Sequence, residues 1–303
     1  MKLPIYYINK SKNIFVSNLD TDIINKTVTE RVFDTIKEKS YAYLWQCWTS
    51  VGYIELFTTV FNRLQAYKHI DITIMCNTLI DKQNLEKIGF RCVFVHHNAF
   101  LDEGLFFINN FPKKYNAICV SQIAPYKRLE LAKGIKNFGI ITHTNPEIES
   151  QLNYVNKIYC EIGKQKILNL NKRLLPFEVA NQINQAKCGL ILSSVEGGNY
   201  ATTEYLLCGI PVVTTDNIGG RNEFLNEKNS VFCLDNQENI SIIVNNLNHL
   251  LYNRLEIRNN CILKMYEFRD VLYNDLENRF GSDWDSEYVF INKLLKWEEY
   301  QEN

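Results

Sequence analysis

The sequence predicts an α/β protein made of two doubly wound domains, and three observations lead to this fold class. From about residue 115 onward, short β-branched or apolar runs alternate with helix-like stretches, which is typical of a parallel sheet covered by helices. A shorter α/β block precedes this region. Phe111-Pro112-Lys113-Lys114 interrupts the apolar pattern between the two blocks. We therefore predict a first domain over residues 1–114 and a second over residues 115–279.

In the first block, short apolar runs predict strands and two longer stretches predict helices. The predicted strands are Ile5 to Ile8, Asp71 to Cys76 and Arg91 to Val95, and the predicted helices are Ile54 to Tyr67 and Leu79 to Lys87. An aromatic run extends from Tyr41 to Trp48. We interpret this run as core packing, with an acceptor or membrane-surface patch as the alternative.

In the second block, strand-like and helix-like segments follow one another in βα units of ordinary size. The predicted strands are Ala117 to Gln122, Gly139 to His143, Lys157 to Glu161, Gly189 to Ser193, Pro211 to Thr215 and Ser230 to Leu234. The predicted helices between them are Lys127 to Lys136, Glu147 to Tyr154, Pro176 to Ala186 and Tyr200 to Cys208. Beyond residue 236 the predicted helices are Asn239 to Leu251, Leu255 to Tyr273 and Ser286 to Tyr300.

Composition excludes several classes of protein. With 46% hydrophobic residues and a net charge of -1, the chain is neither disordered nor a strong binder of nucleic acid. The nine cysteines are at least sixteen residues apart, so the sequence has no CxxC metal or redox pair. No stretch approaches the roughly 20 apolar residues of a membrane span. We expect a cytoplasmic protein, with peripheral contact at the inner membrane surface as an open alternative.

The most informative segment follows the predicted strand that ends at Ser193. Two carboxylates, Glu196 and Glu204, stand eight positions apart across a loop and the start of a helix. Gly197 and Gly198 let the backbone approach a ligand closely, and the amides at the next helix start favour anionic or hydroxyl-rich groups. Because carboxylates accept hydrogen bonds from paired hydroxyls, this pattern suits a ribose diol or a sugar ring.

This segment resembles the donor-binding core of retaining glycosyltransferases of the GT-B, family 4 type. Those enzymes carry a Glu-x7-Glu motif, then Gly-x-Pro-Val-Val, then a Gly-Gly turn with an acidic residue three positions later. Here the same elements are Glu196 to Glu204, Gly209 to Val213 and Gly219-Gly220 to Glu223, within a region of resemblance over residues 115–235. The resemblance implies two domains that face each other across a cleft, with a C-terminal helix over residues 280–303 crossing back to the first domain.

The resemblance also implies roles for the motif residues. Glu204 would hold the ribose and Glu196 the transferred sugar. Lys127 matches the lysine that meets the donor diphosphate, and the backbone amides near Gly219 and Gly220 would assist it. The remaining implied donor-binding residues are Gly197, Gly198, Asn199 and Tyr200.

One position departs from the family pattern. Gln122 stands where the family usually has an arginine. This departure weakens the expected grip on phosphate, and Arg128 is the candidate to supply the missing charge.

The predicted strand that ends at Val95 leads into a polar segment that would face the cleft if the domains stack as in GT-B enzymes. An imidazole there is placed to bind the leaving or attacking oxygen or to position a sugar hydroxyl. His96 and His97 are both candidates, His97 for a catalytic role, and the residues alone do not choose between them. Asn98 and Asp102 are further candidates for polar contacts in the cleft.

The resemblance implies retaining transfer from a nucleotide-diphosphate sugar to a glycan, lipid-linked or other hydroxyl acceptor, as in polysaccharide biosynthesis, without a metal or other cofactor. The two Asp-x-Asp strings, Asp20 to Asp22 and Asp283 to Asp285, are interpreted as chance matches to a metal motif. Two alternatives stay open. One is a GT-B-type nucleotide-sugar epimerase or hydrolase, and the other is a non-catalytic nucleotide-sugar binding module, which Gln122 makes worth testing.

Overall fold

The computed structural model describes residues 5–21, 26–142, 149–169 and 173–282. Within these residues the chain forms two five-stranded sheets, one drawn from residues 6–94 and the other from residues 115–232. Helices cover both sheets. The predicted α/β fold with parallel sheets is therefore confirmed.

The first sheet has the strand order β1-β2-β3-β4-β5, so its strands follow one another as they do along the chain. Strands β2 to β5 are parallel, whereas β1 pairs with β2 in the antiparallel direction. The strands are β1 (Tyr6–Asn9), β2 (Ile14–Leu19), β3 (Ser40–Gln46), β4 (Ile70–Cys76) and β5 (Arg91–Phe94). The helices of this region are α1 (Val28–Thr35), α2 (Ile54–Leu64) and α3 (Leu79–Ile88).

The second sheet is parallel throughout and has the order β10-β9-β8-β6-β7. The strands are β6 (Tyr115–Val120), β7 (Phe138–Ile141), β8 (Ala186–Ile191), β9 (Val212–Thr214) and β10 (Ser230–Phe232). The helices are α4 (Glu149–Ile158), α5 (Pro176–Asn184), α6 (Tyr200–Leu207), α7 (Gln237–Asn246) and α8 (Arg254–Phe280). The chain runs outward from β6 to β7 and then returns to β8 on the other side of β6. Ligands bind at such a switch point, outside the carboxyl ends of the strands.

Strand β3 contains most of the aromatic run and shows how the first sheet is buried. Because successive side chains of a strand point to opposite faces, Tyr43 and Trp45 join the hydrophobic cluster that includes α8. Ala42 and Leu44 join the cluster formed with α1, α2 and α3. The preferred interpretation of the run as core packing is therefore confirmed for β3. Trp48 lies beyond the strand and is half-buried.

The predicted helix from Lys127 to Lys136 is wrong. The structure has two short 3-10 turns there, Pro125–Lys127 and Leu129–Ala132. Between them Arg128 has φ 50°, a left-handed conformation that ends a helix. The guanidinium of Arg128 secures this conformation by donating to Leu192 O at 2.7 Å. Because Leu192 is 64 residues away along the chain, the sequence around Arg128 does not indicate this contact.

The predicted strand from Lys157 to Glu161 is also wrong. Helix α4 runs through its first residues, and a π-helical turn follows at Tyr159–Gly163. Tyr154, Val155 and Ile158 are all buried in one cluster. This i, i+1, i+4 spacing places the three side chains on one face of a helix and not on alternate faces of a strand.

Helix α8 connects the second half of the chain to the first sheet. Near its C-terminal end, Asp275 Oδ2 accepts a hydrogen bond from Tyr43 Oη at 2.6 Å. In the middle of the helix, the buried Arg269 forms an ion pair with Glu103 at 2.9 Å. Helix α8 also contacts α6. The chain therefore returns to the first sheet within residues that we predict to belong to the second domain.

Two predictions fall on parts of the chain outside the described residues. The predicted helix from Ser286 to Tyr300 lies there, as does nearly all of the predicted crossing segment, residues 280–303. The domain boundary at residue 114 stays a prediction. Among the helices that the structure describes, none has the length and apolar character needed to cross a lipid bilayer.

Candidate active site

A cleft of about 550 Å³ opens at the carboxyl ends of β6, β7 and β8, next to the switch point of the second sheet. It is lined by residues from the loops that follow these strands, from the start of α6 and from the segment that leads into α5. The polar and charged side chains of the lining are those of Ser121, Gln122, Tyr126, Lys127, Thr142, Asn169, Arg173, Glu196, Asn199, Tyr200 and Glu204.

Glu204 brings a buried carboxylate to this cleft. The residue lies in α6 and is 5% exposed. Within the described residues no donor reaches its Oε2. Burial raises the pKa of Glu204 to about 7, since removal from water disfavours the ionised carboxyl. A buried carboxylate oxygen without a protein partner is suited to a ligand that brings its own donors.

Glu196 is held by three donors. Its Oε1 forms an ion pair with Nζ of Lys127, and both side chains are 10% exposed. Its Oε2 accepts from Ser193 Oγ at 2.5 Å and from Asn199 Nδ2 at 2.8 Å. Asn199 also caps α6 by accepting from the backbone amide of Thr202. The loop after β8 and the start of α6 therefore fix the orientation of Glu196 and bring it into contact with Lys127.

Arg173 is a cleft residue that sequence reasoning missed. Its exposed side chain lines the same cleft as Gln122 and Lys127. The only sequence signal was its position three residues before Pro176, the start of a predicted helix on the ligand-binding edge of the sheet. The cleft therefore contains a guanidinium, although Gln122 occupies the position where one was expected.

Arg128, the candidate to supply the charge of the missing arginine, is bonded at the edge of the sheet and does not line this cleft. Its Nη2 donates to Thr215 Oγ1 at 3.0 Å, and its Nη1 forms an ion pair with Asp235. With the bond from Nε to Leu192 O, the guanidinium connects the ends of three strands. This side chain holds the sheet edge together and is not among the cleft-lining residues.

A second arginine, Arg221, lies behind Glu196 and is 1% exposed. Its guanidinium donates to the carbonyl oxygens of Ser193 and Thr215, which follow β8 and β9. Burial lowers the pKa of Arg221 to about 10, so the side chain remains charged at neutral pH. Arg221 therefore fixes the start of the loop that carries Glu196.

Gly197 and Gly198 allow the second domain to approach the first. A Cβ at Gly197 would lie 2.8 Å from Cys47 O, and one at Gly198 would lie 2.3 Å from Cε1 of His97. Gly198 also lines the cleft, whereas Gly197 does not. Both glycines therefore permit this loop to approach residues of the first block closely, and their contact with a ligand stays a prediction.

Gly219 and Gly220 have a similar packing role. Gly219 has φ 113°, and a Cβ there would lie 2.0 Å from Glu196 O. A Cβ at Gly220 would lie 2.4 Å from Gly197 O. Neither glycine lines the cleft. This turn supports the loop of Glu196, and donor contact through its backbone amides stays a prediction.

The two adjacent histidines differ in how their rings are bonded. His96 Nδ1 accepts from the amide of Asn98 at 3.1 Å, so its Nε2 carries the proton and donates to Gly220 O at 3.0 Å. Both ring nitrogens of His96 are therefore occupied, and Nε2 joins this segment to the turn at Gly219-Gly220. In His97, Nε2 is buried and has no partner within the described residues. Burial lowers the pKa of His97 to about 4, so this imidazole is neutral at pH 7.

His97 does not line the 550 Å³ cleft directly, but it lies against two residues that do. It contacts the position of Gly198, and its ring centroid is 4.6 Å from that of Tyr200. Tyr200 is the first residue of α6 and is 41% exposed. His97 therefore lies behind this wall of the cleft, with one ring nitrogen available as an acceptor.

Asn98 and Asp102 are not cleft residues. Asn98 Nδ2 donates to Asn199 O at 2.7 Å and to Thr203 Oγ1 at 2.8 Å, which ties the first domain to the start of α6. Asp102 Oδ1 accepts from the amide of Gly104 at 2.8 Å and closes a local turn. Contact of these two side chains with a bound substrate stays a prediction.

Of the two Asp-x-Asp strings, only Asp20 is described. Its Oδ2 accepts from the amide of Val28 at 3.0 Å, at the start of α1. Asp22, Asp283 and Asp285 lie outside the described residues. Within the described part of the chain, no three His, Cys, Asp or Glu side chains are grouped so as to hold a metal ion.

Comparison with known proteins relates this chain to glycosyltransferases. A family model described as glycosyl transferases group 1 matches residues 103–268, more than half of the chain. HepE of Anabaena, solved with UDP and glucose, superposes with a TM-score of 0.63 at 13% identity, over 89% of this chain and 78% of that one. No curated protein sequence matches the chain.

Two further structures share the fold. A variant of S. aureus TarM, solved with Fondaparinux, alpha-GlcNAc-glycerol and UDP, gives a TM-score of 0.63 at 14% identity, over 89% of this chain and 56% of that one. Sucrose-phosphate synthase of Thermosynechococcus elongatus gives 0.58 at 10% identity, over 91% of this chain and 74% of that one. With the family match, these likenesses show that the chain belongs to the glycosyl transferases group 1 family and has the GT-B fold.

Proposed function

We propose that this glycosyltransferase moves a sugar, with retention at the anomeric carbon, from a nucleotide-diphosphate sugar to a hydroxyl acceptor such as a glycan or a lipid-linked sugar. One observation carries the proposal: the buried carboxylate of Glu204 lines the same cleft as the ion pair of Lys127 and Glu196. A nucleotide-diphosphate sugar combines a ribose diol, a diphosphate and a sugar ring. The ribose diol suits Glu204, the diphosphate suits Lys127 and the sugar ring suits Glu196. Structural neighbours solved with UDP, or with UDP-glucose, support this class of donor.

In the proposed complex Glu204 holds the ribose. Burial makes ionisation of this carboxylate unfavourable, as its raised pKa indicates. Two ribose hydroxyls would replace the lost hydration by donating to it. The donor and the ionised form of Glu204 therefore stabilise each other.

Positive charge for the diphosphate comes from two side chains in the cleft. Lys127 is the residue that the family motif assigns, and Arg173 lines the cleft beside it. Gln122 contributes amide hydrogen bonds but no charge. Since Arg173 offers the charge that Gln122 lacks, the departure at Gln122 alone gives little support to a non-catalytic binding module.

Glu196 and His97 complete the proposed reaction site. The three donors on Glu196 hold its carboxylate where it can accept from hydroxyls of the transferred sugar and offset positive charge on the anomeric carbon. The backbone of Gln46 accepts a hydrogen bond from His97, and Nε2 has no partner, so Nε2 is the unprotonated nitrogen. His97 Nε2 would position a sugar or acceptor hydroxyl.

The experiment that tests the function measures nucleoside diphosphate release from a panel of nucleotide sugars, with and without hydroxyl acceptors. We expect acceptor-dependent release from at least one donor, with the product retaining the anomeric configuration in its proton NMR spectrum. Release or epimerisation that needs no acceptor would identify an epimerase or hydrolase. Donor binding without turnover across the panel would identify a binding module.

We also expect activity to survive EDTA. Lys127 and Arg173 supply positive charge to the departing diphosphate, so the proposed reaction needs no divalent ion. The measurement compares initial rates of the acceptor-dependent reaction before and after dialysis against EDTA. Loss of activity that manganese restores would contradict this expectation and place a metal at the donor diphosphate.

A further inference from the structure

A second cavity, of about 520 Å³, lies at the opposite edge of the second sheet. It is formed by residues 110–113, which connect the first domain to β6, and by residues 249–254, which connect α7 to α8. Lys113 precedes β6, whereas Val120 at the far end of this six-residue strand lines the donor cleft. A strand of that length spans about 20 Å. The two cavities are therefore separate and share no lining residue.

The lining of this second cavity is basic. Lys113, His249 and Arg254 line it, and none of the lining residues is acidic. Within the described residues, no ion pair involves any of these three side chains. Cations brought together without a counter-charge repel one another, and an anion in the cavity would remove that repulsion.

The hydrogen bonds of Arg254 and Lys113 hold these cations without neutralising them. Arg254 donates to Asn184 Oδ1 at 2.6 Å and to the carbonyl oxygens of Asn109 and Cys208 at 3.0 and 2.8 Å. Lys113 Nζ donates to Asn184 O at 2.9 Å. All of these acceptors are uncharged. The Nε atom of Arg254 is buried and has no acceptor within the described residues.

The pKa values of these groups are shifted in the direction that this geometry requires. Burial, followed by the charge of Arg254, lowers the pKa of Lys113 to about 8. Burial and the charges of Lys113, Lys187 and Arg254 lower the pKa of His249. The basic side chains of the cavity thus raise one another's cost of ionisation.

We propose that this cavity binds a phosphate group, with Lys113 and Arg254 as its charged contacts and His249 as a further hydrogen-bond donor. A phosphate carries negative charge and several acceptor oxygens, so it would both offset the charge of these side chains and accept their hydrogen bonds. Two sources offer that chemistry: a soluble phosphate ester, or the headgroup of a phospholipid. Leu250 and Leu251, which are 79% and 81% exposed, adjoin the cavity and suit contact with a lipid surface.

The test uses the protein labelled with carbon-13 histidine, in which His249 is one of five histidines and is assigned with the His249→Gln variant. Inorganic phosphate, compared with chloride at equal ionic strength, should raise the pKa of His249 in a saturable manner. Lys113→Gln should weaken phosphate affinity about tenfold or more, whereas the exposed Lys133→Gln should leave it unchanged.

Two outcomes would overturn the proposal: a His249 signal that responds equally to phosphate and chloride, or one whose phosphate response survives Lys113→Gln. Circular dichroism and chemical denaturation establish that each variant is folded before it is compared. Because the readout is a local resonance and not turnover, failure here leaves the proposed glycosyl transfer untouched. Failure of glycosyl transfer likewise leaves this test intact.

A second arm distinguishes the sources of phosphate. Flotation with phosphatidylcholine vesicles, with and without phosphatidic acid, is compared for the wild type and the Leu250→Ser/Leu251→Ser variant. Flotation that requires both phosphatidic acid and the two leucines assigns a phospholipid headgroup. A saturable His249 response to soluble phosphate without flotation assigns a soluble phosphate ester. Absence of both responses overturns the site.

Discussion

Replacement of Lys127 by alanine is expected to lower kcat by roughly 10²-fold or more while leaving binding of the nucleoside part nearly unchanged. Negative charge grows on the departing diphosphate as the glycosidic bond breaks, so a cation at that position matters most in the transition state. Steady-state kinetics of the acceptor-dependent reaction measure kcat and KM, and calorimetry with the nucleoside diphosphate measures ground-state binding. An interaction made only in the transition state lowers kcat and kcat/KM together.

The ion pair between Lys127 and Glu196 requires a control for this result. Loss of the lysine leaves the carboxylate of Glu196 with only Ser193 and Asn199 as donors, so part of the effect could come from a displaced Glu196. Lys127→Arg keeps the charge and should recover a measurable part of the rate. The double variant Lys127→Ala/Glu196→Gln reports the coupling between the two side chains.

Three results would change the assignment of Lys127. A near-normal kcat with a raised KM would make the lysine a ground-state clamp on the donor. If neither constant moved, the match of this segment to the family motif would be wrong, and Arg173 would become the cation at the diphosphate. If the Lys127→Arg variant were as slow as Lys127→Ala, turnover would depend on the position of the charge and not only on its presence.

The parts of the fold that sequence predicted well are those with local signals. Strands β6, β8 and β9 each contain a short run of buried, mostly apolar residues, and helix α6 follows a glycine pair and an Asn cap. The failures at residues 127–136 and 157–161 have other causes. A left-handed Arg128, held by Leu192 across the sheet, breaks the first segment. In the second segment, burial of one helical face outweighs the strand propensity of Ile158 and Tyr159.

In the candidate site, too, some features have a local sequence signal and others do not. The spacing of Glu196 and Glu204 predicted that both carboxylates reach one cleft, because a loop and one helix connect them. The choice between His96 and His97 depends on a hydrogen bond from His96 to Gly220, 124 residues away. The position of Arg128 likewise depends on contacts with Leu192, Thr215 and Asp235, which lie 64 to 107 residues away. No spacing rule contains such contacts, since packing between distant parts of the chain creates them.

Replacement of Glu204 by glutamine is expected to stabilise the fold at high pH while weakening donor binding. The pKa of Glu204 is raised from 4.5 to about 7 by burial, so between these values the folded protein binds more protons than the unfolded chain. Stability of the wild type therefore falls as pH rises through that window, and the full cost is present above about pH 7. Glutamine has no charge to desolvate. The gain in unfolding free energy of Glu204→Gln over the wild type is therefore absent near pH 4 and reaches at most about 3 kcal/mol at pH 8.

Chemical denaturation at a series of pH values measures this advantage, with the exposed Glu227→Gln as the matched control that should show no such dependence.

The donor affinity of the Glu204→Gln variant should fall, although its stability rises. Loss of a charge-assisted hydrogen bond to the ribose costs about 1.5–3 kcal/mol, which corresponds to a roughly tenfold or greater loss in calorimetry. Because ribose hydroxyls favour the ionised carboxylate, wild-type affinity should rise with pH through the pKa of Glu204, while that of Glu204→Gln stays flat. Stability curves that run parallel in pH would show that Glu204 is not desolvated, and unchanged donor affinity would remove it from the ribose.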